Sequence, residues 1–413
     1  MYFASYCFYM SKYFFCSVLV LFFCCKKVEQ KSEEEVEIVE EVVDPDVSFQ
    51  NFIDHYERFF KTNFQISECP GAALVIIKDS TVVLKKGYGV KAVNTIDSVD
   101  VNTVFRIASL SKGVTSVLAG NLVDHNELKW NQLIKASINR FSLRDREQAE
   151  RIEVNHLLSH TTGLYKYTYT KLIHKGLPLD RIIPQFRYKG VIAKEGVDYE
   201  YQNAIFSIIE KVMEKETNVP FDQLIQERLF IPAKMYNASS TYNAIKSNDN
   251  VALPHSFNPY AKRYNITSIH KNYYNVAAAG GVNASITDMS EYLKILLGYR
   301  PDIISPQALA TVFNPFICTN NEDINVNYWE GVVDSFYAKG YRILDYRGRT
   351  LIYHSGNVNQ YKAELMVDPE NKIAICALFN APNLLSPVTV PTFLNYYDFY
   401  INMNKTGSEK QKF

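Results

Sequence analysis

Ser109 and Lys112 stand three residues apart in "ASLSKG", immediately before the apolar run "VTSVLAGNLV". Three residues are close to one helical turn, so the lysine amine returns to the face that carries the Ser109 hydroxyl. A serine hydroxyl is a weak nucleophile without a neighbouring base. A lysine serves as that base only where burial or nearby cations keep its amine neutral. A helix starting at Ser109 would also favour negative charge developing beside it. Two more patterns offer matching chemistry. Tyr201-Gln202-Asn203, where the helical pattern "NAIFSIIEKVME" begins, supplies a phenolic proton that can be relayed and an amide that can bind a substrate carbonyl. His354-Ser355-Gly356, in "TLIYHSGN", supplies an imidazole, a glycine that lets a ligand lie against a strand, and the N–H of Asn357 as a donor to an oxyanion. Each pattern alone is weak. Ser-x-x-Lys recurs at Ser268–Lys271, and Tyr-x-Asn recurs at Tyr273–Asn275 and Tyr400–Asn402. The ordinary alternative for His354 is a partly exposed strand histidine.

Such residues need elements to hold them. "SFQNFIDHYERFF" places Phe49, Phe52, Ile53, Tyr56, Phe59 and Phe60 at helical spacing, with Ser48 as N-cap. "GAALVIIKDSTVVLKKGYGV" reads as two strands joined at "KDS". A long, mostly helical stretch runs from about Ser111 to Pro301. "GYRILDY", "RTLIYHSG", "YKAELMVD" and "KIAICALF" then predict an antiparallel meander, with "YRGR" and "DPEN" as turns, and "PVTVPTFLNYYDFYINM" a closing helix. Strands from both ends of the chain with helices between them predict an α+β fold. It has one antiparallel sheet, flanked by N- and C-terminal helices, with a large helical sub-domain inserted. A cleft is expected where that insert meets the sheet.

The chain has 413 residues, 47% hydrophobic, with no net formal charge, so it lacks the basic footprint of a nucleic-acid binder. The first 25 residues stand apart. "YFFCSVLVLFFCC" lies between Lys12 and Lys26-Lys27 and is shorter than the roughly 20 residues of a membrane span, as in the core of an export signal. Translation from Met10 in place of Met1 would give a compact basic start. The paired cysteines resemble a bacterial lipoprotein site, with Cys24 preferred over Cys25 as the lipidated residue. An ordinary cleaved signal or an uncleaved anchor is the alternative. Residues 26–47, dense in Glu, read as an acidic tether; 48–404 form the folded domain; 405–413 are a polar tail. An exported protein, periplasmic or on the cell surface and held to a membrane, is the expectation. The three cysteines beyond the leader, Cys69, Cys318 and Cys376, suggest neither a disulfide framework nor a zinc knuckle.

The order Ser-x-x-Lys, Tyr-x-Asn, His-x-Gly resembles the serine β-lactamase and penicillin-binding protein superfamily, nearest its class C β-lactamase, D-alanyl-D-alanine carboxypeptidase and esterase branch. "TVFRIASLSKGVTSV", "LLSHTTGL", "AAAGGVNASITDMSEYL" and "VDPENKIAICALFN" resemble further segments of that family in order, so the likeness covers most of residues 66–380. It implies the β-lactamase/transpeptidase-like fold and an acyl-enzyme on Ser109. Lys112 would be the proton partner and Tyr201 the proton shuttle. Asn203 would orient the substrate amide. The N–H groups of Ser109 and Asn357 would form an oxyanion hole, with His354 lining the opposite wall beside Gly356. Gly280 and Gly281 would make a supporting turn. No cofactor and no metal are implied.

Other matches carry less. "HLLSH" (His156–His160) has metal-ligand spacing but lacks the glutamate that a zinc hydrolase places after the first histidine. Lys405-Thr406-Gly407 spells the third β-lactamase motif in the polar tail, where no strand follows. His354 replaces the lysine usual in β-lactamases, so only partial charge is expected there near neutral pH. That turns the expectation from efficient β-lactam hydrolysis towards D-amino-acid peptides, amides or small esters. A penicillin-binding sensor, a non-catalytic surface lipoprotein with little turnover and a β-lactamase are the alternatives. The substrate itself and the oligomeric state are not legible.

Overall fold

The computed structural model describes residues 48–319, 326 and 329–410, with the backbone alone for 404–410. The expected signal, the tether and Cys24 lie outside the described residues.

Ser48 caps helix α1 (Phe49–Ile66) by accepting the Asn51 N–H at 3.1 Å. Its stripe of Phe52, Ile53, Tyr56 and Phe60 is buried. Phe52 and Tyr56 meet Phe393 of the C-terminal helix Ser386–Lys410 at ring distances of 5.5 and 5.1 Å. Burying each such side chain is worth about 1.5–3 kcal/mol, so the two ends of the chain fasten each other against one face of the sheet. The C-terminal helix runs past the expected end at Met403, through Lys405-Thr406-Gly407 to Lys410, and the polar tail begins as helix. A single glycine costs a helix only about 1 kcal/mol, so Gly407 does not stop it.

The strands are β1 (Gly71–Lys78), β2 (Thr81–Gly89), β3 (Val104–Arg106), β4 (His255–Asn258), β5 (Arg263–Ile266), β6 (Asn283–Ser285), β7 (Ile317–Cys318), β8 (Val332–Tyr337), β9 (Arg342–Tyr346), β10 (Arg349–Val358), β11 (Tyr361–Asp368) and β12 (Ile373–Phe379). Eight make one sheet in the order β2-β1-β12-β11-β10-β9-β8-β7, its pairs antiparallel. The early hairpin joins the late meander through β1 and β12, with Ala72 opposite Phe379. The meander predicted from sequence is present, and β7 and β8 extend it. The inserted region differs in detail. Its helices are short, and it carries the hairpin β4–β5 and the small pair β3–β6.

Helix α2 (Leu110–Asp124) fills the space between sheet and insert, buried from Leu110 to Leu122 on every side. A helix buried all round shows no exposed polar stripe, and the polar residues of "VTSVLAGNLV", Thr115, Ser116 and Asn121, are buried with the rest. The turn after β8 passes close beside it. Gly340 sits there at φ +74°, and a Cβ would stand 2.6 Å from the Lys112 carbonyl oxygen. Only glycine fits both demands.

Candidate active site

β3 delivers the chain to Ala108, which adopts φ +53°, a conformation uncommon for a residue with a Cβ. Ser109 follows as the N-cap of α2, and its side chain makes no capping bond. Ser111 does the anchoring: its hydroxyl donates to the Ala108 carbonyl at 2.6 Å and accepts the Val282 N–H at 3.0 Å. The Ser109 hydroxyl is thereby left to face the cleft.

Lys112 is fully buried one turn on, with Nζ 3.4 Å from Ser109 Oγ. Nζ donates to Asn203 Oδ1 at 2.6 Å and to the Ala279 carbonyl at 2.8 Å, and lies 4.7 Å from the centre of the Tyr201 ring. Among the described residues it makes no ion pair. Burial holds its amine well below the ordinary lysine range, and the positive charge of Arg342 pushes it further down. A neutral amine has two N–H groups and one lone pair. In that form, with both N–H groups engaged by Asn203 and Ala279, the lone pair would be left for Ser109.

Tyr201 donates its hydroxyl to Ser109 Oγ at 3.0 Å. Asn203 begins the short helix Asn203–Phe206. Gln202, between them, is buried and fixed twice: its N–H donates to His160 Nδ1 at 3.2 Å and its side-chain amide to the Leu164 carbonyl at 2.5 Å. The "LLSHTTGL" segment thus sets the position of Tyr201, and the His160 ring lies 4.3 Å from the Tyr201 ring. His156 accepts the Glu153 N–H at 3.0 Å. In "HLLSH", then, each histidine holds backbone.

The other wall is β10. β9 pairs with it only as far as Tyr353, so among the described residues the edge from His354 to Val358 has no strand beside it on that side. Gly356 packs there against the turn before Ser109. His354 is buried, where the sequence allowed partial exposure. Its Nδ1 lies 2.7 Å from the Ser355 carbonyl and so must carry the proton, and its Nε2, 3.1 Å from the Tyr337 hydroxyl, accepts. Burial, then Arg342 and Lys112, hold its pKa well below the usual histidine value. The partial charge expected at neutral pH is therefore corrected to none. Gly280 and Gly281 close the short helix Ala277–Gly280 instead of forming an independent turn.

These residues border a cleft of about 600 Å³. Ser109, Tyr201 and Asn203 line one wall, and His354, Gly356 and Asn357 the other. Sequence reasoning missed four contributors: His160, Tyr337, Arg342 and Glu364. The last two had a signal, since each is a buried charge on a strand most of whose other residues are apolar. Tyr337 lies on a strand that was not predicted.

His354 gives a testable consequence for stability. Its folded pKa lies below the unfolded value near 6.5, so the unfolded chain takes up the proton first as pH falls. The contribution is intact above pH 6.5 and lost below it. Urea melts at pH 7.5 and 5.5 should show the unaltered chain losing about 1 kcal/mol more than His354→Gln over that interval, following about 1.4 kcal/mol per pH unit below 6.5.

The family description "Beta-lactamase" matches residues 56–391. The unguisins hydrolase of Aspergillus campestris is 24% identical over 324 residues, a match that takes in 75% of this chain and 58% of the fungal protein's length. The octameric penicillin-binding protein homologue from Pyrococcus abyssi superposes with a TM-score of 0.71 at 23% identity, covering 83% of this chain and 77% of that one. EstCE1, a hydrolase with promiscuous acyltransferase activity, superposes with a TM-score of 0.69 at 16% identity, covering 84% and 98%. With the fold, the order of the motifs and the family match in agreement, this chain belongs to the beta-lactamase family, whose members are generally hydrolytic.

Proposed function

We propose that the protein is a serine hydrolase that works through an acyl-enzyme on Ser109 and cleaves D-amino-acid peptides, amides or small esters. The observation that carries this reading is the contact of Ser109 Oγ with both Lys112 Nζ and the Tyr201 hydroxyl, beside which burial lowers the pKa of the Lys112 amine. Lys112 takes the Ser109 proton as the hydroxyl attacks the substrate carbonyl. The oxyanion forms against the N–H groups of Ser109 and Asn357, at the start of α2, where the helix dipole favours negative charge. Tyr201 passes a proton to the departing amine or alcohol. Water then frees Ser109 by the same route in reverse. Asn203 fixes the substrate amide while holding Lys112.

The neutral His354 supports the choice of substrates. A β-lactam carboxylate meets no charge at that position, and efficient β-lactam hydrolysis is not part of the proposal. The apolar leader and Cys24 support an exported, lipid-held enzyme acting outside the cytoplasm, and its partners are small substrates and the membrane that holds it.

Intact-mass measurement tests the reaction. The full chain is mixed with p-nitrophenyl acetate and, separately, with a tagged penicillin, and the adduct is followed over time and mapped by peptide digestion. An adduct on Ser109 that forms and decays with product release is the expected result. A penicillin adduct that persists, without ester turnover, would favour a sensor. No adduct with either reagent would end the enzyme proposal.

A further inference from the structure

The cleft does not stop at the residues placed in the reaction. It continues over the free edge of β10 to Ser355, Glu364, Asn383 and Ser386. The register explains why. Ser355 stands opposite Glu364 on β11, so the two share a face of the sheet, the face opposite to that of His354. Gly356, the next residue along β10, is the one packed against the Ser109 turn. Glu364 therefore lies one strand across and one residue along from the glycine beside the nucleophile.

Glu364 is 6% exposed. Its two oxygens receive one neutral hydroxyl each, Tyr353 at 2.8 Å and Ser386 at 3.0 Å. Among the described residues it makes no ion pair. Asn383 is already committed, since it accepts the Ser386 N–H and donates to the Ala381 carbonyl. A carboxylate oxygen has about two acceptor sites, so each Glu364 oxygen keeps one to offer. The hydrogen-bond donors to Glu364 are neutral; Lys362 and Arg342, which line the same cleft, offset the desolvation cost of the buried carboxylate in part, and a cation bound to its free acceptor sites offsets it further. Ser386 opens the long C-terminal helix, whose start favours an anion, and Glu364 is the anion there.

We propose that this end of the cleft is a binding subsite for a protonated amine carried by the substrate, with Glu364 as the specificity-determining residue. The proposal rests on the reading of the cleft as the substrate site and narrows its substrates to cationic amines among peptides, amides and esters. An ammonium group would donate to Glu364 and to the Ser386 hydroxyl oxygen, while the reacting carbonyl lies at Ser109.

Recognition of this kind depends on pH. Burial pushes the Glu364 carboxyl up, the two hydroxyl bonds and then Lys362 and Arg342 oppose it, and the balance leaves it raised to about 7. The groups that face it are Lys362 on its own strand, Arg342 from β9, Tyr353 from β10, the Cys376 thiol from β12 and Ser386 from the C-terminal helix. Burial holds the Tyr353 hydroxyl and the Cys376 thiol in their neutral forms at pH 6–8. Only the ionised carboxylate attracts the amine, so affinity rises as pH climbs through 7.

The test is isothermal titration of benzylamine, benzyl alcohol and benzoate into the full chain. At pH 8 benzylamine should bind at least about tenfold more tightly than the alcohol, which it matches in shape. Glu364→Gln should bring the amine level with the alcohol. In the unaltered chain the amine's advantage should shrink from pH 8 to pH 6 while the alcohol's affinity stays flat, a readout that survives if the variant folds poorly. Equal binding of the three compounds, or an amine preference that persists at pH 6 and in Glu364→Gln, would overturn the subsite. Labelling of Ser109 by a fluorophosphonate, run in parallel, separates this proposal from the hydrolase reading. Amine preference without labelling would remove the reaction and keep the subsite; labelling without amine preference would do the opposite.

Discussion

Ser109→Ala, Lys112→Ala and the double variant are expected to lose acylation to a similar extent, each by about 10³-fold or more, because the two residues act as one unit. The serine supplies the attacking oxygen and the lysine removes its proton, so losing either leaves the other without a task. Lys112→Arg should not rescue, since a guanidinium stays charged and cannot accept a proton. Lys112→Ala also leaves Asn203 Oδ1 and the Ala279 carbonyl without their donor, at a cost of about 1–3 kcal/mol for each buried group that no water reaches. Ser109→Ala should fold as the unaltered chain does. The pH profile separates a base from a structural strut. The burst of p-nitrophenol from the unaltered chain should rise with pH as Lys112 loses its proton. It should level off well below the range of an ordinary amine, because burial lowers the amine's pKa. A rate still climbing at pH 10 would exclude Lys112 as the base.

Gly356→Val is the second large effect, and it involves no titratable group. A Cβ at this position would stand 2.7 Å from the Ile107 carbonyl oxygen, 2.9 Å from Ala108 Cβ and 3.2 Å from the Ser109 nitrogen. Two of these contacts are to backbone, which cannot rotate away as a flexible side chain would. Valine adds two methyl groups to the conflict. Either β10 or the turn before Ser109 must move, and the oxyanion donors on both sides of that gap would separate. Displacement of about 1 Å at a reacting centre costs about 100-fold in rate, and overpacking costs about 1–3 kcal/mol in stability. We expect kcat/KM to fall about 100-fold with p-nitrophenyl acetate, and Gly356→Ala to fall less. Gly190→Val is the control, since nothing among the described residues lies within 4 Å of a Cβ there. Equal losses in the two valine variants would show that the contact at Gly356 has no special bearing on the reaction.

How far these features could be read from the sequence varies with their physical origin. The late meander was legible because β10, β11 and β12 alternate or fill with apolar residues between plain turns. α1 was legible because one cap and one stripe define it. β7 and β8 were not, since β7 has two residues and the outer β8 exposes Val333 and Asp334. The hairpin β4–β5 was hidden because its strands have four residues each and little of either is buried. At the site, the spacing of Ser109 and Lys112 follows from helix geometry, so their meeting was foreseeable. The neutrality of His354 was not. It arises from burial and from Arg342, which the fold brings in from another strand. His160 illustrates the same limit: its likeness to a metal ligand is a matter of spacing, while its bond to Gln202 is a matter of folding.

The pairing of β1 with β12 has a bearing on how the chain acquires its structure. Ala72 must find Phe379, so the centre of the sheet cannot close until the chain has been made through β12. Contacts that distant in sequence carry a large loop-closure cost and slow folding. Until then the hairpin β1–β2 presents the apolar edge of "GAALVIIK" with no partner, and the nucleophile-bearing α2 is made long before the wall that Gly356 supplies. An apolar strand exposed in this way is a template for association with other chains. The same long-range closure that assembles the cleft therefore leaves an apolar edge open during synthesis, and ties the birth of the active site to the last strand of the sheet.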